Sequence, residues 1–292
     1  MDRADAAPAP VTAPDVRARK GRGGPPLVMV TAYDAPAART ADRAGVDVIL
    51  VGDSLAEVVL GYEDTLQVGM DDMAHHTAAV ARARPRALVV TDMPWLSYHR
   101  GTDDAVGNAG RLVRAGARAV KLEGGRKRLP VIRAIVDAEI PVMGHLGLTP
   151  QSRHALGGYR AQGRKVDEAW ALLDDAVALA EAGCFAIVLE AVPAPLAAAV
   201  TEAVAVPTIG IGAGPACDGQ VLVFHDVLGL HPGPGARFVR RYAALEDDAV
   251  AALERFSADV RAGRFPTELE SYPADAELAA ALATGRGASK AG

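Results

Sequence analysis

Eight short apolar runs, most of them followed by a segment of helical periodicity, constrain this chain more than any other feature. The runs are "PLVMVTAYD" (26–34), "VDVILVGD" (46–53), "ALVVTDMP" (87–94), "ARAVKLEGG" (117–125), "IPVMGHLG" (140–147), "FAIVLEAVP" (185–193), "VPTIGIGAG" (206–214) and "GQVLVFHDVLG" (219–229). Between them lie helical patterns such as "APAARTADRAG", "MDDMAHHTAAVARA" (70–83), "TDDAVGNAGRLVRAG" (102–116) and "KVDEAWALLDDAVALAEAG" (165–183). In the third of these, Thr102 is placed to cap the helix and Gly116 to close it. Strands that alternate with helices build βαβ units and a parallel sheet. Such strands are buried on both faces and read as continuous Val, Ile and Leu. Half of the residues are hydrophobic but only 4% are aromatic, which suits a core of this kind.

Eight units in 292 residues predict an α/β fold, a single-domain (β/α)8 TIM barrel. A doubly wound open sheet is the competing arrangement. Its first turn carries a GxGxxG phosphate fingerprint, and "TAYDAP" has none. The segment "EDDAVAALERFSADVRAG" (246–263) is amphipathic and is expected to close the ring. Residues 1–24 and 274–292 lack periodicity and are expected to be poorly ordered tails around a catalytic barrel over 25–273. The stretch 147–164 is long for an ordinary connection and is expected to serve as a lid or binding loop.

A net charge of −5 offers no electrostatic case for nucleic acid or an anionic membrane. Cys184 and Cys217 form no CxxC pair. With no apolar run of membrane-spanning length, a cytoplasmic protein is expected.

In such a barrel, chemistry is done at the C-terminal ends of the strands. Those ends hold Asp34, Asp53 with Ser54, Asp92, Lys121 with Glu123, His145, Glu190, the glycines of "GIGAG", and His225 with Asp226. Carboxylates converging on one mouth repel one another unless a cation or a charged substrate compensates. Oxygen donors with few His and no nearby Cys favour Mg²⁺. Single residues have plainer explanations. Asp34 before "APAA" is suited to cap a helix. His75 and His76 fall on a helical segment, and "GIGAG" can serve close backbone approach as readily as phosphate binding. His99 and His231 carry no functional argument. Period-two alternation places Lys121 and Glu123 on one face of their strand.

The runs "TAYD", "VGDSL", "TDMP", "VKLEGG", "IPVMGH", "GHLGLTPQS", "GGYRAQGR", "VLEAVP" and "TIGIGAG…DGQVLVFHD" together resemble the ketopantoate hydroxymethyltransferase family, over about residues 27–273. The resemblance implies a (β/α)8 barrel with one Mg²⁺ per subunit, assembled as a homodecamer of two stacked pentamers. It also implies hydroxymethyl transfer from 5,10-methylenetetrahydrofolate, the co-substrate, to 3-methyl-2-oxobutanoate, giving 2-dehydropantoate early in pantothenate synthesis. Carried over by motif, Asp53 and Asp92 are the metal-binding aspartates, and Glu123 is the acid near the metal. Ser54 and Lys121, with Asp53, Asp92 and His145, face the substrate, and Glu190 is the base. Ala56, Glu57 and the proline-free "LQVGMDDM" depart from the family pattern without removing a named group. The alternative is another Mg²⁺-dependent 2-oxo acid lyase or mutase of the isocitrate lyase type. That chemistry needs a cysteine in a strand-end loop, whereas Cys184 begins a strand.

Overall fold

A computed structural model describes residues 9–21, 23–231, 233 and 235–283. Eight parallel strands close into one barrel in sequence order: β1 (Leu27–Thr31), β2 (Val48–Val51), β3 (Leu88–Asp92), β4 (Ala119–Glu123), β5 (Val142–Gly147), β6 (Ala186–Glu190), β7 (Thr208–Ile211) and β8 (Gly219–Leu222). Strand β8 pairs back onto β1 from Leu27↔Gly219 to Val30↔Leu222, which leaves no sheet edge. The helices are α1 (Ala13–Arg17), α2 (Ala35–Arg43), α3 (Leu55–Val58), α4 (Met70–Arg82), α5 (Thr102–Ala115), α6 (Leu129–Asp137), α7 (Arg153–Leu156), α8 (Val166–Glu181), α9 (Ala194–Ala203), α10 (Phe224–Leu228), α11 (Leu245–Arg261) and α12 (Ala276–Ala283).

Alternation along each strand separates two cores. Ile49, Val89, Val120, Leu122, Ile187 and Leu189 face outward and pack with helix residues such as Ile132, Ala176 and Leu179. Met29, Val48, Leu50, Leu88, Val90, Ala119, Met143, Ala186 and Val188 fill the interior. Two residues further along the inward face, the filling changes character. Ala119 gives way to Lys121 and Glu123, Val90 to Asp92, Met143 to His145, and Val188 to Glu190. The apolar layers form the floor on which the ionisable layer stands.

The N-terminal segment differs from expectation. Thr12 and Asp15 form a capping box for α1, whose Ala13 and Val16 are buried in the same cluster as the barrel interior. The Val11 N–H donates to Arg86 O at 2.7 Å, and Lys20 Nζ pairs with Asp218 Oδ2 at 2.8 Å. Five helical residues are too short to show a period, so composition alone suggested a loose tail. Residues 1–8 of that expected tail lie outside the described residues. Deleting residues 1–20 removes the Val16 contact with the barrel interior and should cost about 2–3 kcal/mol of stability. A denaturant titration with an unchanged midpoint would show that α1 is dispensable for stability.

The C-terminal expectations also change. The chain divides into compact units ending at Tyr242 and beginning at Ala243, with all eight strands in the first. Helix α11 forms as its periodicity predicts, yet none of its residues is buried, and Val250, Leu253, Phe256 and Val260 are exposed. In the expected 274–292 tail, 276–283 is helical and exposed, and 284–292 lies outside the described residues. The run 219–229 is not one strand, because β8 stops at Leu222 and α10 follows. Gly101, rather than Thr102, occupies the cap position of α5, and Gly116 closes that helix in the left-handed conformation.

Candidate active site

Strand register assembles the site before any side chain is considered. Asp92 on β3 is the Cα partner of Lys121 on β4, Glu123 of His145 on β5, and Gly147 of Glu190 on β6. Parallel pairing puts all of these at the same end of the barrel. Gly147 is required there: its φ is +92°, and a Cβ would stand 2.2 Å from the Glu190 carbonyl oxygen.

These ends surround a cavity of ≈ 150 Å³. Asp53, Ser54, Asp92, Lys121, Glu123, His145 and Glu190 all line it, so every residue singled out by motif is brought together. Asp53, Asp92, Lys121, Glu123 and His145 are each at most 5% exposed. The Lys121 ammonium lies 2.8 Å from Asp92 Oδ1, and the Asp53 backbone N–H donates to Asp92 Oδ2 at 3.1 Å. Ser54 Oγ is 2.9 Å from the Tyr33 hydroxyl. His145 Nδ1 sits 3.2 Å from Lys121 Nζ and 3.4 Å from Glu123 Oε1, while its Nε2 is 3.3 Å from Glu190 Oε2.

The electrostatics follow from this crowding. Burial, then the neighbouring Asp92 and Glu123 carboxylates, push Asp53 well above the usual carboxylate range. Burial also raises Asp92, although Lys121 pulls it back. For His145, burial and the Lys121 ammonium oppose a proton, but Glu123 and Glu190 outweigh them and push it up to about 9. The three buried carboxylates of Asp53, Asp92 and Glu123 offer hard oxygens, which suit a divalent cation such as Mg²⁺. Among the described residues, no three His, Cys, Asp or Glu already form a complete ligand set. Mg²⁺ does not require one, because it is held through one or two carboxylates together with waters and substrate oxygens.

Two residues of the site were not legible from motifs. Gln151, buried, donates from Nε2 to Asp53 Oδ2 at 2.8 Å and to Met93 O at 2.9 Å, and its backbone N–H donates to Glu123 Oε2 at 3.0 Å. The Tyr98 hydroxyl donates to Gln151 Oε1 at 2.5 Å and accepts from the Glu123 N–H at 3.2 Å. Gln151 comes from the long 147–164 stretch, so part of that loop fastens the acids in place. Its length was the signal, but length does not say which residue turns inward. Gln151→Ala removes three side-chain hydrogen bonds from buried partners and should cost about 1–3 kcal/mol. A melting temperature equal to that of the parent would contradict this fastening role.

The residues with plainer expectations behave accordingly. Asp34 accepts from the Ala37 N–H at 2.7 Å and caps α2. His75 and His76 lie on α4, where His76 Nδ1 is 2.7 Å from Tyr33 O. Asp226 reaches the cavity, whereas His225 faces the Tyr33 ring at 5.6 Å. The cysteines are remote from this chemistry. Cys184 is buried, with its thiol pushed up to about 12, and does not line the cavity. No helix among the described residues is long and apolar enough to cross a membrane.

Comparison with known proteins agrees with the geometry. The ketopantoate hydroxymethyltransferase family model matches residues 10–268. A 3-methyl-2-oxobutanoate hydroxymethyltransferase of Moorella thermoacetica is 59% identical over 263 residues, covering 90% of this chain and 97% of that protein. One from Ignicoccus hospitalis is 58% identical over 250 residues, covering 86% and 95%. Among solved structures, phosphonopyruvate hydrolase superposes with a TM-score of 0.58 at 16% identity, covering 94% of this chain and 96% of that one. A 2,3-dimethylmalate lyase of the PEP mutase/isocitrate lyase superfamily gives 0.55 at 19%, covering 89% and 92%. At such identities these structures speak for the barrel alone. With the strand-end residues of its motifs gathered in one cavity and relatives of this closeness over nearly its whole length, the chain belongs to the ketopantoate hydroxymethyltransferase family, a family of transferases.

Proposed function

We propose that the protein transfers a hydroxymethyl group from 5,10-methylenetetrahydrofolate to 3-methyl-2-oxobutanoate, giving 2-dehydropantoate and tetrahydrofolate. The observation that supports this reading is that Glu190 lines the same small cavity as the Asp53, Asp92 and Glu123 carboxylates. Asp53 and Asp92, with Glu123 behind them, would hold Mg²⁺, which supplies Lewis-acid polarisation of a 2-oxo acid when bound.

The protein's own groups do the rest. Lys121 offsets the negative charge of the oxo acid and of the enolate that forms from it. Glu190 takes the C3 proton as the C3–H bond breaks. His145, 3.3 Å from Glu190 Oε2, fixes the direction of that carboxylate. The enolate carbon then bonds to the donor's methylene carbon. That carbon is released as its two C–N bonds are hydrolysed: water leaves its oxygen on the carbon as a carbonyl and its two protons on the folate nitrogens. The enolate carbon adds to this carbonyl, and Glu190 returns the C3 proton to the resulting alkoxide. Ser54, tied to Tyr33, offers a hydroxyl at the edge of the oxo-acid site.

A lyase or mutase reading lacks the strand-end cysteine it needs, because Cys184 and Cys217 are both buried and neither lines the cavity. Ten-subunit assembly in the cytoplasm completes the proposal. A coupled assay with 3-methyl-2-oxobutanoate and the folate donor tests the reaction. Activity should vanish with chelator and return with Mg²⁺, and full turnover in metal-free buffer would refute the metal assignment. Sedimentation showing a stable monomer would refute the assembly.

A further inference from the structure

The cavity at the strand ends, ≈ 150 Å³, has room for a small oxo acid but not for a folate. A donor built from a reduced pterin, an aminobenzoyl group and glutamate must lie largely outside it, with only its methylene group at the mouth. A second hollow of ≈ 560 Å³ opens beside that mouth, within the usual range for ligand pockets. Its wall begins at Ala191, the residue after Glu190, and Phe238 lines both spaces.

This hollow has fixed walls and one sign of charge. The loop that forms one side is pinned to the end of β6 by Leu148 N–H to Glu190 O at 2.8 Å and Gln162 N–H to Ala191 O at 3.0 Å. On the other side, Phe238 packs against Gly212 so closely that a Cβ there would meet its ring at 2.7 Å. Arg160, Arg164 and Arg237 line the hollow, and no Asp or Glu does. None of these three guanidinium groups makes an ion pair among the described residues. On a chain of net charge −5, three cations without carboxylate partners in one pocket mark a place for an anion. Tyr159 and Phe238 add aromatic surface, so the pocket pairs flat apolar walls with guanidinium forks suited to carboxylates.

We infer that this hollow is the co-substrate subsite, in which Arg160, Arg164 and Arg237 bind the glutamyl carboxylates of the folate donor while Phe238 separates its ring system from the oxo acid. The inference rests on the proposed hydroxymethyl transfer and adds where the donor lies and what part of it is read. It makes the glutamate tail, remote from the reacting carbon, a determinant of donor affinity.

The test compares two donors, 5,10-methylenetetrahydropteroate, which lacks glutamate, and the 5,10-methylenetetrahydrofolate monoglutamate. In the parent enzyme, KM should be about 10-fold lower for the monoglutamate, the scale of a few partly exposed ion pairs. In the combined R160Q, R164Q and R237Q variant, KM for the monoglutamate should rise to that for the pteroate, while KM for the pteroate changes little. Thermal melting establishes that the variant is folded. The single variants, each expected to lose part of the preference, replace it if it is not. Equal KM values for the two donors in the parent, or an undiminished preference in the folded variants, would overturn the subsite. A parent enzyme that forms no product with the monoglutamate would instead refute the proposed reaction, and the subsite would fall with it.

Discussion

Replacing Glu190 with Gln is expected to lower C3 proton exchange and product formation together, by about 10²–10⁴-fold, the usual contribution of a general base. Glu190 stands at the end of β6, its side chain 15% exposed within the cavity, with Oε2 3.3 Å from His145 Nε2. Gln keeps the shape and the hydrogen-bonding reach of Glu but cannot accept the proton at neutral pH. Binding of the oxo acid should persist, because one negative charge near an anionic substrate is removed. Exchange followed by NMR without folate, beside turnover with folate, separates the steps. Exchange that survives while condensation fails would move Glu190 to a later step and leave proton removal to another group.

The second large effect is on stability. Lys121→Met leaves Asp92 without the ammonium 2.8 Å from its Oδ1, in a site where both side chains are at most 5% exposed. Removing one partner of a buried ion pair typically costs 3–5 kcal/mol, because the other charge stays buried and uncompensated. Here the cost should lie in the upper part of that range, roughly 4–5 kcal/mol, since Asp53 and Glu123 face the same ammonium. Burial pulls the Lys121 pKa down, but Asp92, Glu123 and Asp53 outweigh it and hold the pKa above its ordinary value. Its contribution is therefore present throughout neutral pH and is lost only as pH rises past the lysine range. Denaturant titration in chelator measures it. Asp53→Asn under the same conditions should raise stability, because that carboxylate is crowded by burial, Asp92 and Glu123. A Lys121→Met midpoint equal to the parent's would mean the acids are balanced by something other than this ammonium.

The contrast between these residues and Gln151 shows what a sequence discloses. Lys121 and Glu123 could be placed on one inward face because strand alternation is a local rule, and the barrel follows from its eightfold repetition. The closeness of Asp92 to Lys121 needed the register between β3 and β4, which alternation does not supply. Gln151 and Tyr98 reach the site from loops, whose path depends on long-range packing, and no period marks them. Helix α1 was missed for a related reason: five residues cap and bury themselves through contacts more than a hundred positions away, such as Arg118 Nη1 to Val11 O at 3.3 Å. Helix α11 was legible for the same reason as the strands: its amphipathic period is a local rule, and the helix forms over Leu245–Arg261.

The central claim is that the strand-end groups of one barrel cavity remove the C3 proton of 3-methyl-2-oxobutanoate and hand the resulting carbon to a folate-borne methylene. The most direct measurement incubates the enzyme in Mg²⁺ with oxo acid deuterated at C3, first without and then with 5,10-methylenetetrahydrofolate. Deuterium should wash out before the donor is added, and 2-dehydropantoate should form only afterwards. Retention of the C3 deuterium by the parent enzyme, or product formation that ignores the folate, would contradict it.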